Sequence, residues 1–251
     1  MGGRLLWINP VGSTEFDAMI KKYLNSEVGY EFTVDVTSFK KGPLHLEYSF
    51  YEALVGIDIL KTIYQAEQMH YDAAIIGCFY DPFLFESREL VNIPVTAPAE
   101  SAMHIASLLA SNFSIIVGRK KWIPQMQENV FRYEMDRKLV SFESVDLGVL
   151  EFQKDRKETE KRLTEAAERA ITKGAESIIL GCTIELGFFR KLQKKLEIPV
   201  IDAVLAPLKY AEFLVEIKNK MGWQTSKKGR FESPPASELK NWNLLKKYGF
   251  E

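Results

Sequence analysis

The chain has 251 residues, 46% apolar and 27% charged, and Lys+Arg 33 against Asp+Glu 34 leave a net charge of −1. That length supports one or two domains with a substantial core. The near-balance of charge argues against a dedicated binder of nucleic acid or anionic membrane, which shows a basic excess or patch.

No apolar run approaches the roughly 18 residues of a membrane span. The apolar stretch at 4–8 is too short for a signal peptide, so the expected location is the cytoplasm. In chain order, short β-branched or aliphatic runs fall at 4–8, 31–36, 73–77, 94–96, 114–117, 139–145, 177–181 and 199–201. Helical patterns fill the intervals near 14–26, 49–69, 82–90, 99–111, 121–135, 155–173, 184–195 and 203–219. Alternation of this kind predicts an α/β protein with mostly parallel strands. The uninterrupted apolar pairs and triplets Ile75-Ile76 and Ile178-Ile179-Leu180 fit strands covered on both faces. Beyond 221 the chain turns polar and turn-rich, with weak helical character over 238–248. This reads as an appended tail (221–251), with Trp223 and Trp242 available to pin it.

The chain repeats itself. Tyr71-Asp72-Ala73-Ala74-Ile75-Ile76-Gly77-Cys78 recurs as Ala175-Glu176-Ser177-Ile178-Ile179-Leu180-Gly181-Cys182, and downstream Ile93-Pro94-Val95 recurs as Ile198-Pro199-Val200. Each copy runs strand, Gly-Cys, helix, Ile-Pro-Val strand, helix. A duplicated α/β half predicts two pseudo-symmetric lobes with the active site in a cleft where they meet. The expected boundaries are 1–98 for lobe 1, completed by a helix at 203–220, and 99–202 for lobe 2.

Cys78 and Cys182 are the only cysteines. Two are too few for a disulfide scaffold or a Cys-rich zinc site, and His45, His70 and His104 lie at no ligand spacing, so no metal is expected. A residue just past the end of a parallel strand faces the crevice where open α/β sheets bind ligands. The preceding glycine permits a tight strand-to-helix turn. Each thiol is then expected at the first turn of a helix, where the dipole favours the thiolate and lowers its pKa from about 8.5. Free backbone N–H groups at such a turn hold carbonyl or carboxylate oxygens. One thiol per lobe could remove a proton from one face of a carbon and return one to the other, with no cofactor. Taken singly, a cysteine reads as a small buried hydrophobe. The chain's two cysteines both falling at duplicated strand ends favours the chemical reading.

At this point the sequence resembles the Asp/Glu/hydantoin racemase superfamily, most closely its hydantoin/allantoin racemase branch. The resemblance is carried by Asn9-Pro10 with Ser13-Thr14, Gly42-Pro43 with Leu46-Glu47, and Gly77-Cys78-Phe79-Tyr80-Asp81-Pro82. It continues through Ala99-Glu100-Ser101-Ala102-Met103-His104, Leu180-Gly181-Cys182 and Pro199-Val200-Ile201-Asp202, covering roughly residues 4–219. It implies cofactor-independent racemisation at a carbon next to a carbonyl, with Cys78 and Cys182 as the two acid/base residues. It also implies that the backbone amides of Phe79, Thr183 and Ile184 hold substrate oxygens, that Asn9 contacts substrate, and that the protein is a homo-oligomer. Three departures accompany it. Thr183-Ile184-Glu185 replaces the branch's Gly-Gly-Met or Ala-Gly-Met; Gly181-Cys182-Thr183 resembles the aspartate and glutamate racemases instead, but Ile184 stands where the glutamate type has His. Gly118-Arg119 stands where relatives place Thr or Ser, and Tyr80 replaces a glycine.

Several positions admit two readings. Arg119 is a fork for a substrate carboxylate or the solvated start of the basic run Arg119-Lys120-Lys121. Glu185 stands behind Cys182 and tunes it, or is an exposed first-turn residue. Ser13 and Thr14 read as N-caps, and a cap can also face substrate. Asp81 reads as a cap with Pro82 at the first helical position, or as support behind Cys78. His104 reads as structural, and Asp202 as a cap or a cleft residue.

The resulting expectation is a racemase acting on a small molecule, a 5-substituted hydantoin or allantoin or an amino acid. Its rivals are an aspartate- or glutamate-type racemase, a related cis-trans isomerase or decarboxylase, and a non-catalytic small-anion-binding accessory protein on the same fold. No nucleic-acid or membrane partner is expected.

Overall fold

The computed structural model describes residues 2–250. The chain divides into two compact units. The first holds the chain up to Ile76, Pro82–Thr96 and everything from Leu208 on; the second holds Gly77–Asp81 and Ala97–Pro207. Both cysteines therefore lie in the second unit.

The first unit is built on a four-stranded parallel sheet of β1 (Arg4–Asn9), β2 (Thr33–Ser38), β3 (Ala73–Ile76) and β4 (Val95–Thr96), in the order β2-β1-β3-β4. Its helices are α1 (Asp17–Glu27), α2 (Ser49–Gln68) and α3 (Leu84–Leu90). The second unit repeats the plan. β5 (Phe113–Val117), β6 (Leu139–Ser144), β7 (Ile178–Leu180) and β8 (Val200–Ile201) are parallel in the order β6-β5-β7-β8. They are joined by α4 (Pro98–Leu109), α5 (Ile123–Arg132), α6 (Arg156–Thr172) and α7 (Phe189–Leu196). The register repeats as well: Ile8 sits beside Ile76 in the first sheet and Ile116 beside Leu180 in the second. The last strand residue before each Gly-Cys thus holds the same place in its sheet.

Apolar burial explains why these strands sit centrally. Ile75, Ile76, Ile115, Ile116, Ile178, Ile179 and Leu180 are fully buried, and each such side chain contributes about 1.5–3 kcal/mol on leaving water. Helix α4 packs on β5, β7 and β8, covering the strands that lead to Cys182. Helix α6 is capped by Asp155, which accepts from the amides of Lys157 and Glu158 at 3.1 Å each.

The last long helix, α8 (Leu205–Met221), leads into the tail, which forms a 3-10 turn (Gly229–Phe231), α9 (Ala236–Asn241) and α10 (Leu244–Lys247). The expected tryptophan anchors fail: Trp223 and Trp242 are exposed. Lys227 does this work instead. Its ammonium donates to the carbonyls of Arg88, of Glu89 at 3.1 Å and of Val91 at 2.7 Å, satisfying the C-terminal end of α3. Phe231 meets Phe85 edge-on at 5.6 Å, and Phe250 meets Tyr64 at 5.7 Å. Ammonium and ring edges win here because they meet orphan carbonyls and apolar rings at once.

Candidate functional site

Strand β3 ends at Ile76 and the chain turns immediately through Gly77-Cys78-Phe79-Tyr80-Asp81. Strand β7 ends at Leu180 and turns through Gly181-Cys182 into a 3-10 turn, Thr183–Glu185. The expected α-helix start at either thiol is not found. Helices α3 and α7 begin only at Leu84 and Phe189, because Asp81 and Phe83 take left-handed backbone conformations (φ 49° and 57°) and Gly187 takes φ 82°. What each thiol has beside it is a short turn of backbone amides rather than a helix dipole. Among the described residues, the N–H groups of Phe79, Thr183 and Ile184 have no protein acceptor.

The two cysteine loops meet. The Thr183 hydroxyl donates to the carbonyl of Gly77 at 3.3 Å, tying the residue after Cys182 to the residue before Cys78. Cys182 is buried and Cys78 half-buried, and both are thiols rather than half-cystines. Phe79, Tyr80, Thr183 and Ile184 are buried around them. Gly181 cannot be replaced freely, since a Cβ there would lie 2.5 Å from the carbonyl oxygen of Ile116.

Asp81 is fully buried but does not cap its own helix. Its carboxylate accepts from the amides of Ala99 and Glu100, the first turn of α4, and from the Tyr133 hydroxyl, each at 2.8 Å. Helix α4 opens on Ala97 and Pro98 and has no side-chain cap of its own, so Asp81 supplies one from across the chain. Burial pushes the Asp81 carboxyl up to about 7, against these three donors, which hold it down. Burial first, then the neighbouring Asp81 and Glu100, keep the Tyr133 phenol protonated. The Tyr80 carbonyl accepts from the Asn129 amide at 2.7 Å. Sequence reading missed Asn129 and Tyr133. Their signal was a polar pair one turn apart on the buried face of an amphipathic helix.

Glu185 is fully buried rather than exposed, and both its oxygens lack a partner. Burial, aided by the charge of Asp202, raises it well above the usual carboxylate range, and the nearby backbone of Cys182 and Gly181 only partly offsets this, with no hydrogen bond made to either oxygen. It stands beside the Cys182 turn, three residues on from the thiol. The turn is also held by Gln153, whose amide donates to the Ile184 carbonyl at 2.6 Å.

Arg119 is half-buried on extended backbone past β5, the strand next to β7, and leads a 3-10 turn, Lys120–Trp122. Asp202 caps α8 through the amides of Val204 and Leu205. His104 lies on α4 with its Nδ1 2.8 Å from the Glu100 carbonyl.

Asn9 and Ser13 belong to the first unit. Asn9 is buried at the end of β1, where its carbonyl accepts from the Trp7 indole at 2.7 Å and its amide donates to Asp17 at 2.6 Å. Ser13 accepts from the amide of Glu15 at 3.2 Å, and α1 begins at Asp17 without a side-chain cap, so the capping expected of Ser13 and Thr14 is absent.

A profile of the family described as Asp/Glu/Hydantoin racemase matches residues 5–211. A hydantoin racemase of Paenarthrobacter aurescens is 34% identical over 92% of this chain and 97% of its own length. One of Pseudomonas sp. (strain NS671) is 31% identical over 92% of each. The solved structure of an allantoin racemase from Klebsiella pneumoniae superposes with a TM-score of 0.86 at 28% identity, covering 93% of this chain and 94% of that one.

Proposed function

Because the chain belongs to the Asp/Glu/hydantoin racemase family and is a racemase, hence an isomerase, we propose that it inverts the α-carbon of a 5-substituted hydantoin or allantoin. In this reading Cys78 and Cys182 act as the two bases and no cofactor takes part. One thiolate removes the α-proton and the opposite thiol delivers a proton to the other face, so the two exchange protonation states at each turnover. Charge developing on the carbonyl oxygen falls to the amides of Phe79, Thr183 and Ile184, preorganised donors of the kind that carry a large share of such catalysis. Burial of Glu185 beside Cys182 disfavours its charged form, which lessens the negative charge opposing a thiolate there. Asn9 and Ser13 contact substrate in this reading, and Arg119 would meet a substrate carboxylate where an amino acid is the substrate.

The single observation that carries the reading is the hydrogen bond from Thr183 to Gly77, which sets the two Gly-Cys turns side by side. Gly181-Cys182-Thr183 supports a second reading, an aspartate- or glutamate-type racemase. Two working thiols require a reducing compartment, which supports the cytoplasm, and a homo-oligomer goes with the family resemblance. The test is proton exchange in heavy water with L- and D-hydantoins, allantoin, aspartate and glutamate. Racemisation of a hydantoin or allantoin is expected, with Cys78→Ala and Cys182→Ala each abolishing it, by at least about 10³-fold. In each variant, solvent exchange should persist from only one enantiomer. Full activity in either alanine variant rejects the two-cysteine assignment, and turnover of amino acids alone selects the second reading.

A further inference from the structure

Cys78 stands on a loop with no regular structure, yet acid/base chemistry needs its sulfur held to a fraction of an ångström. The loop is gripped at three points. Gly77 accepts from Thr183 at 3.3 Å, Tyr80 from Asn129 at 2.7 Å, and Asp81 from Tyr133 and the start of α4 at 2.8 Å. The Asp81 amide returns to the Cys78 carbonyl at 3.0 Å, closing a turn around the thiol. Two of these grips come from one helix. Asn129 lies within α5 and Tyr133 directly follows it, four residues on, and the Tyr133 amide bonds the Asn129 carbonyl at 3.0 Å. Both side chains therefore present from the same helix face.

We propose that Asn129 and Tyr133 are positioning residues: through Tyr80 and Asp81 they hold the Cys78 loop against the N-terminus of α4 and so set the placement of the Cys78 thiol. They touch no substrate. Tyr133 donates to a carboxylate that already takes two α4 amides, so removing its hydroxyl leaves the cap but frees the loop end. Asn129 acts on the peptide between the thiol and that cap. The proposal rests on Cys78 being a reacting group only for its kinetic consequence; the mechanical consequence is independent of it.

The test compares the full-length wild type with Tyr133→Phe, which removes one oxygen and keeps the ring, and with Asn129→Ala. Two readouts are taken: steady-state racemisation, and iodoacetamide labelling of each cysteine followed separately by peptide mass spectrometry. Both variants should lower kcat about tenfold with KM within about twofold. Both should speed labelling of Cys78 at least about threefold, while Cys182 stays within about twofold. Labelling of Cys78 unchanged in both variants, or raised equally at both cysteines, overturns the proposal, because the first means no grip and the second means general loosening. Selective labelling with unchanged kcat leaves the grip standing and removes Cys78 from the chemistry.

Discussion

Gly181 and Asp81 carry the sharpest constraints on single residues. The Gly181 amide bonds the Ile116 carbonyl at 2.8 Å, and a methyl added there would press on that same oxygen at 2.5 Å. Backbone has to move, because the obstacle is not a flexible side-chain end. Gly181→Ala is expected to cost about 1–3 kcal/mol in denaturant melts and to lower turnover by displacing the Cys182 turn. Asp81 makes stability depend on pH. Its carboxyl is raised from 3.8 to about 7 by burial, so the native chain binds more protons than the unfolded chain in between. Its contribution is therefore fully present below about pH 4 and is lost as pH rises through about 7, with a ceiling of about 4 kcal/mol. Chemical denaturation from pH 5 to 8 should show the wild type losing stability relative to Asp81→Asn, whose side chain does not titrate. Parallel curves would reject the assignment.

At the scale of elements, strands and most helix starts were legible, and the groups that cap the helices were not. A buried strand announces itself by unbroken apolar residues, so the runs at Ile75-Ile76 and Ile178-Ile179-Leu180 could be placed from sequence alone. Asp81-Pro82 carries the local pattern of a cap and first turn, yet Asp81 caps α4, whose own start offers only Ala97 and Pro98. The orphan amides of one helix and the carboxylate of a distant loop satisfy each other, and no local window contains both. Lys227 and α3 make the same point at a helix C-terminus. Lys227→Met removes the cation while keeping the stem, and is expected to lower stability by about 1 kcal/mol, or about 2–4 °C in a thermal melt.

Across the whole molecule, duplication was written in the residues and is repeated in the strand order of the two sheets, β2-β1-β3-β4 and β6-β5-β7-β8. Side-chain periodicity and a repeated Gly-Cys determine which segments are buried and where each thiol leaves its strand, because these depend on neighbours in sequence. The family, too, was recognisable from motif order alone. Tertiary structure decided what surrounds those thiols: Thr183 on Gly77, Asn129 on Tyr80, Tyr133 on Asp81, and Glu185 buried without a partner. Hydrogen bonds and desolvation depend on which groups meet in space, and groups far apart along the chain share no local signal that they will.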